Sequence, residues 1–363
     1  MINQTLIKIA SIIMVSFIFV VLIMPFIKNM AVQIGAVDRP KGGRHIHKVA
    51  TPKLGGLAIF LGFLLGYMVF GIHSSIMNGV LIGSFLIIIT GVVDDITELS
   101  PLHKFIGQLA AALVVVFYGG LLIKTLSAFG LHIEFGIFAY PVTIFFILGC
   151  INCINLIDGL DGLSGGISAI YYLTIGTIAV MRGKMGLDFT LSFVMLGSTL
   201  GFLVYNFNPA SIFAGDSGSM FMGFIIAVIA LLGFKNVTMT SLIIPLIILA
   251  IPILDTVFAI IRRTLKNEPI SKGDKFHIHH QLLNRHLSQR TTVIIIYCID
   301  LLFAFASIIY VINDRYLGYI VYGSLLVIVT VFVAKTDIVF DQKEFRNKYL
   351  KRFDMRKKKK SKK

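Results

Sequence analysis

Long apolar runs constrain this chain more than any other feature. Stretches of roughly 17 to 25 apolar residues can cross a bilayer as helices. Eleven such runs occur, over about residues 5–27, 54–72, 76–93, 105–123, 137–153, 163–181, 187–205, 217–234, 238–260, 291–312 and 316–335. Hydrophobic residues make up 56% of the chain, charged residues only 14%, and the mean hydropathy is +0.88. No soluble core hides that much apolar surface, so the sequence predicts an all-α, polytopic integral membrane protein with about eleven transmembrane helices. Residues 1–335 form its multi-span domain. The first run is long for a signal peptide and lacks an A-x-A cleavage pattern, so it reads as a retained helix. Glycines within the runs (Gly62, Gly66, Gly165, Gly166, Gly197, Gly201) suit close helix packing in lipid.

Charge then orients the spans. Eleven of them put the termini on opposite sides, and one set of connections, with the tail, carries 27 of the 33 Lys and Arg residues. Without the 13 in the tail the split is still fourteen against six. The positive-inside rule places the richer set in the cytoplasm, leaving the N-terminus outside and the C-terminus cytoplasmic. Residues 336–363, ending RKKKKSKK, read as a disordered basic arm on anionic lipid. The net charge of +15 could suggest nucleic acid. The basic residues, however, lie between and after apolar runs, so topology accounts for them and no nucleic acid is expected. Cys150 and Cys153 form a C-x-x-C without a second ligand pair, which favours small packing residues over zinc or redox chemistry.

Five polar clusters fall on the cytoplasmic side. In NCINLIDGLDGLSGG (Asn152–Gly166), Asp158 and Asp161 stand between apolar runs, each followed by a glycine. Charge at a bilayer edge is costly and usually functional. The alternative is a polar loop ending one helix and starting the next. Asp94 and Asp95 are adjacent at the end of a run, where they repel and suit a divalent cation or proton abstraction; Lys104 follows Pro101 and could neutralise them. Asp216, in FAGDSGSMFMG, opens a helix between small residues, as an N-cap or as a ligand for a bridged anion. The first loop, VDRPKGGRHIHKVATPKLGG, is basic and glycine-rich, suited to phosphates or simply positive-inside charge; Lys48 stands out beside Thr51-Pro52. Lastly, KGDKFHIHHQLLNRH gathers His277, His279 and His280 near Arg285. Zinc lacks a cysteine or H-E-x-x-H partner here, and contacts to phosphate fit better.

Oxygen acids for Mg²⁺ with cations for phosphates are the requirements of phosphoryl-group transfer. The one-sided placement argues against a transporter, which would keep ionisable groups near the midplane. The residues alone thus give a Mg²⁺-dependent enzyme joining a cytosolic phosphorylated donor to a lipid.

VVDD (Val92–Asp95), NLIDGLDGL (Asn155–Leu163), GDSGSMFMG (Gly215–Gly223) and HIHHQLL (His277–Leu283) resemble the polyprenyl-phosphate N-acetylhexosamine-1-phosphate transferases, in order from about Val37 to Arg290. The resemblance implies ten or eleven transmembrane helices with a cytoplasmic site in the bacterial plasma membrane. It implies transfer of a sugar 1-phosphate from a UDP-sugar to a polyprenyl phosphate with release of UMP, Mg²⁺ or Mn²⁺ as cofactor, and a homodimer. The motifs look closer to the UDP-N-acetylglucosamine branch that starts wall teichoic acid and similar polymers. The phospho-MurNAc-pentapeptide branch carries three adjacent histidines, and Ile278 interrupts them here. Carried over, Asp216 would ligate Mg²⁺, and Asp94, with Asp95 beside it, would position or deprotonate the lipid phosphate. Asp158 and Asp161 would hold the nucleotide and metal-proximal groups. Lys48, Lys104 and the catalytic His279 would contact phosphates, with Asn155, His277, His280 and Arg285 completing the substrate-binding set.

Overall fold

A computed structural model describes residues 2–39, 50–128, 131–183, 185–236, 243–265, 277–312 and 315–334. Lys48 and the basic tail lie outside them. The chain is helical, with two small antiparallel ribbons. Helix α1 (Ile2–Gln33) leads to strand β1 (Val37–Asp38), which pairs with β2 (Thr51–Pro52). There follow α2 (Gly55–Phe70), α3 (Ser75–Thr97) and α4 (Pro101–Leu113), the last continued by a π-turn over Val114–Tyr118. A hairpin of β3 (Thr125–Ala128) and β4 (Leu131–Glu134) precedes α5 (Ala139–Ile157), α6 (Leu163–Met181), α7 (Leu187–Asn206) and α8 (Gly215–Asn236). The chain continues through α9 (Ile243–Ile248), α10 (Ala250–Leu265), the short α11 (Ile278–Leu283), α12 (Gln289–Ile312) and α13 (Arg315–Ala334).

Among the described residues eight helices are long and apolar enough to cross a membrane, and Gly55–Phe70 and Leu317–Thr330 are apolar but shorter. The run expected over 238–260 is, where described, two helices, α9 and α10, meeting at Leu249. Pro252 explains the break. It has no N–H to give the Ile248 carbonyl one turn back, so the ladder is interrupted there.

Helix α8 is the hub: 89% of its apolar stretch is buried, against 17% for α1 at the periphery. It packs on α2, α3 and α5. Lipid tails are as apolar as the side chains they surround, so helices in a membrane associate by close packing rather than by hydrophobic expulsion. Two glycines permit the closest approach. A Cβ on Gly56 would sit 2.0 Å from the Gly218 nitrogen, and one on Gly91 2.3 Å from the Ser217 Cα. The ends of α2 and α3 are therefore drawn against the first turn of α8, beside Asp216. At α1, α2 and α7 the expected small-residue packing also holds, with Gly62 against Val20 and Ser198 and Gly197 against the Ile13 carbonyl. Cys150 and Cys153 are buried free thiols in α5.

Candidate active site

The site is built where α3 and α5 end and α8 begins. Helix α8 starts at Gly215, whose φ of +71° and closeness to the Lys53 carbonyl leave no room for a side chain. Its first N–H groups have no intrahelical acceptors and need partners from outside. Asp95 supplies them across the interface. One carboxylate oxygen accepts the Asp216 N–H at 2.8 Å; the other accepts the Ser217 N–H at 3.2 Å and the Ser217 hydroxyl at 2.7 Å.

Asp94 points elsewhere. The repulsion expected of adjacent acids is relieved because the two side chains serve different partners. Asp94 Oδ1 accepts the Leu99 N–H at 2.7 Å, closing the turn after α3, and Oδ2 lies 2.8 Å from Lys104 Nζ. The same ammonium lies 2.5 Å from Asp216 Oδ2. Asn155, on the last turn of α5, donates to Asp216 Oδ1 at 2.5 Å and to Ser219 Oγ at 2.9 Å. Four helices thus converge on one carboxylate–ammonium–carboxylate centre, and Asp216 is fixed from three directions.

One turn beyond Asn155 comes the glycine-rich turn. Ser164 donates to Asp158 Oδ1 at 2.5 Å. Burial, with the neighbouring charges of Asp216 and Asp161, raises the Asp158 carboxyl to about 7, while the Ser164 hydrogen bond holds it down. Asp161 is buried and turned away from this centre, accepting from Asn208 Nδ2 at 2.8 Å and the Ala210 N–H at 3.0 Å. Asn206 accepts the Gly162 N–H at 2.9 Å, and the Tyr297 hydroxyl donates to the Gly162 carbonyl. These contacts hold the turn in shape.

The histidines reach the same turn. A Cβ on Gly159 would lie 2.5 Å from His279 Nε2, so the imidazole rests directly against this glycine. His279 stacks in parallel on His277, with ring centroids 5.6 Å apart, and lies 4.3 Å from the His280 ring. His277 Nδ1 is 2.9 Å from Asp255 Oδ2, and Asp255 Oδ1 accepts the Ile278 N–H at 2.8 Å. Arg285 is exposed in the turn after α11. Asp255, Ser217, Ser219, Ser164, Asn206 and Asn208 are not singled out by the sequence. The available signal for Asp255 was a lone acid inside the 238–260 run.

Among the described residues no three His, Cys, Asp or Glu side chains are grouped to hold a metal ion. Magnesium, however, keeps several waters and needs only one or two carboxylates plus substrate phosphates. Asp94 and Asp216 meet that requirement. Both reach one cationic point, Lys104 Nζ, so a positive charge between them is already provided for in the geometry.

The family described as Glycosyl transferase family 4 matches residues 77–234, which include Asp94, Lys104, Asp158 and Asp216. A Bacillus subtilis protein named "Probable undecaprenyl-phosphate N-acetylglucosaminyl 1-phosphate transferase" is 42% identical over 356 residues, 97% of this chain and 99% of its own length. A decaprenyl-phosphate N-acetylglucosaminephosphotransferase of Mycobacterium tuberculosis is 31% identical over 75% of this chain and 74% of its own. A phospho-N-acetylmuramoyl-pentapeptide-transferase of Halalkalibacterium halodurans is also 31% identical, over 78% of this chain and 90% of its own.

Proposed function

Because the chain belongs to the polyprenyl-phosphate N-acetylhexosamine-1-phosphate transferase family, we propose that it moves N-acetylglucosamine 1-phosphate from UDP-N-acetylglucosamine to undecaprenyl phosphate, releasing UMP. The observation that carries this reading is the Lys104 ammonium held 2.8 Å and 2.5 Å from the carboxylates of Asp94 and Asp216. That centre pairs a cation for phosphates with two acids at one end of the bundle. The donor and acceptor follow the Bacillus subtilis relative, at 42% identity over nearly the whole of both chains, rather than the MurNAc-pentapeptide relative at 31%. The interrupted H-I-H-H sequence favours the same branch.

In this mechanism an oxygen of the acceptor phosphate attacks the donor's β-phosphorus. The new P–O bond forms as the bond to the α-phosphate oxygen breaks, and UMP leaves. Asp94 takes or orients the acceptor's proton. Lys104, its ammonium between the two carboxylates, offers positive charge to the transferring phosphate. Asn155 and the Asp95-capped turn of α8 hold Asp216 still, Asp158 serves the nucleotide, and His279 donates to the transferring phosphate as charge builds there in the transition state. Asp216, with Asp94 beside it, would hold a divalent cation, Mg²⁺ or Mn²⁺, which would supply positive charge for the phosphates. The rival is a two-step path through a phosphorylated Asp94 or Asp95. Asp95 is the poorer nucleophile, since its two oxygens are already engaged by three donors. A sugar-phosphate trapped on the enzyme without lipid acceptor would overturn direct attack.

The split of basic residues supports a site at the cytoplasmic face of the bacterial plasma membrane, with the N-terminus outside, serving the first step of a cell-envelope polymer such as wall teichoic acid. The test is to supply purified protein with Mg²⁺, undecaprenyl phosphate and radiolabelled UDP-N-acetylglucosamine, and UDP-MurNAc-pentapeptide in parallel. Label from the first donor is expected in butanol-extractable lipid. Absence of transfer, with vectorial movement of the donor into vesicles, would favour a transporter instead.

A further inference from the structure

We propose that Asp255 is a positioning residue for the transfer reaction, acting through His277 to seat His279 against the glycine-rich turn at the end of α5. The inference rests on the transferase reading and extends it to a residue on α10. Asp255 is the only acid in that helix and is 2% exposed. A carboxylate so deeply buried is costly unless each oxygen finds a donor. One oxygen takes the Ile278 N–H, an orphan donor in the first turn of α11, and the other takes His277 Nδ1.

The second bond sets chemistry as well as position. An ionised carboxylate only accepts, so the proton on His277 must sit on Nδ1, which fixes the ring's tautomer and plane. That plane matters because His279 lies parallel to it, 4° off, with its own Nε2 edge on Gly159 next to Asp158. A continuous packed line, Asp255–His277–His279–Gly159, therefore runs from α10 to the turn that follows Asn155. Rotation of His277 would release His279 without disturbing the Asp94–Lys104–Asp216 centre.

The experiment compares wild type, Asp255→Asn, His277→Ala and the double variant in the lipid-transfer assay with labelled UDP-N-acetylglucosamine. The asparagine oxygen can still accept the Ile278 N–H, but its NH₂ faces Nδ1 and forces the opposite tautomer. Asp255→Asn is expected to lower kcat by about 10- to 100-fold, the range of residues that orient a ligating or catalytic histidine. KM for the donor should stay within about threefold, as for a group acting only in the transition state. The double variant should be no worse than His277→Ala alone. Losses that multiply, or wild-type kcat in Asp255→Asn, would overturn the proposal. His277→Asn keeps an N–H for Asp255 while deleting the stacked ring. It should lose kcat to the same extent, and full turnover there would overturn the proposal however Asp255→Asn folds. A wild-type preparation making no lipid-linked sugar would sink the transferase reading and this inference together; active wild type beside fully active Asp255→Asn would sink this inference alone.

Discussion

Neighbouring residues of one type do different work here. Asp94 and Asp95 are adjacent in the chain, yet Asp94 faces the Lys104 ammonium and Asp95 caps α8. Asp95→Ala leaves two backbone N–H groups and a hydroxyl without their acceptor in a buried interface, which costs about 2 kcal/mol or more. It is expected to lower the melting temperature measurably, whereas Asp94→Asn should abolish turnover with little change in melting. Thermal unfolding in detergent, read beside the transfer assay, checks both. Asp158 gives a pH test. Its carboxyl ionises near 7 in the folded protein, against an ordinary 3.8. The unfolded chain therefore releases this proton first, and the group's contribution to stability declines as pH rises between those values. If the ionised form binds the donor, kcat/KM rises with pH and levels off above about 7. Ser164→Ala removes the hydrogen bond that favours the ionised form, so the rise should move to higher pH by about one unit. An unmoved profile would separate Asp158 from donor binding.

At the scale of elements, the site depends on the ends of α2 and α3 meeting the first turn of α8 at glycines, where no Cβ intervenes. Gly91→Ala would thrust a methyl group to within 2.3 Å of the Ser217 Cα and 2.5 Å of its nitrogen. Neither atom can rotate away, so α3 and α8 must part, at about 1–3 kcal/mol for overpacking. The expected result is a lower melting temperature and loss of most transfer activity, since Asp95 would also lose its grip on the first turn of α8. An active, equally stable Gly91→Ala would contradict the close approach. The same helices show what the sequence makes legible. Apolar length located every long helix, and the DD, DGLDG, GDSG and HIHH segments pointed to residues that the fold gathers. Asp255 was hidden because a lone acid in an apolar run cannot announce a partner some 20 residues on. Asn206 and Asn208 look like ordinary residues at a helix end until the Asp161 turn folds onto them. The break between α9 and α10 was readable at Pro252, but hydropathy alone runs through it.

Across the whole molecule, the cation, acids and histidines of the centre stand at one end of a helical bundle whose other connections are chemically plain. The distribution of Lys and Arg predicts that this end faces the cytoplasm. A cysteine introduced at exposed Arg285 should accordingly resist a membrane-impermeant thiol reagent in intact cells and react in inverted vesicles, against a background in which exposed Cys298 has been replaced. Asp216, fixed by Lys104, Asn155 and the Asp95-capped turn, is expected to be indispensable to transfer. The most direct measurement is label passing from UDP-N-acetylglucosamine to undecaprenyl phosphate by purified wild-type protein and by Asp216→Ala across a wide range of Mg²⁺ concentrations. Lipid-linked label from wild type and none from Asp216→Ala at any concentration is the expected result. Wild-type turnover in Asp216→Ala would contradict it.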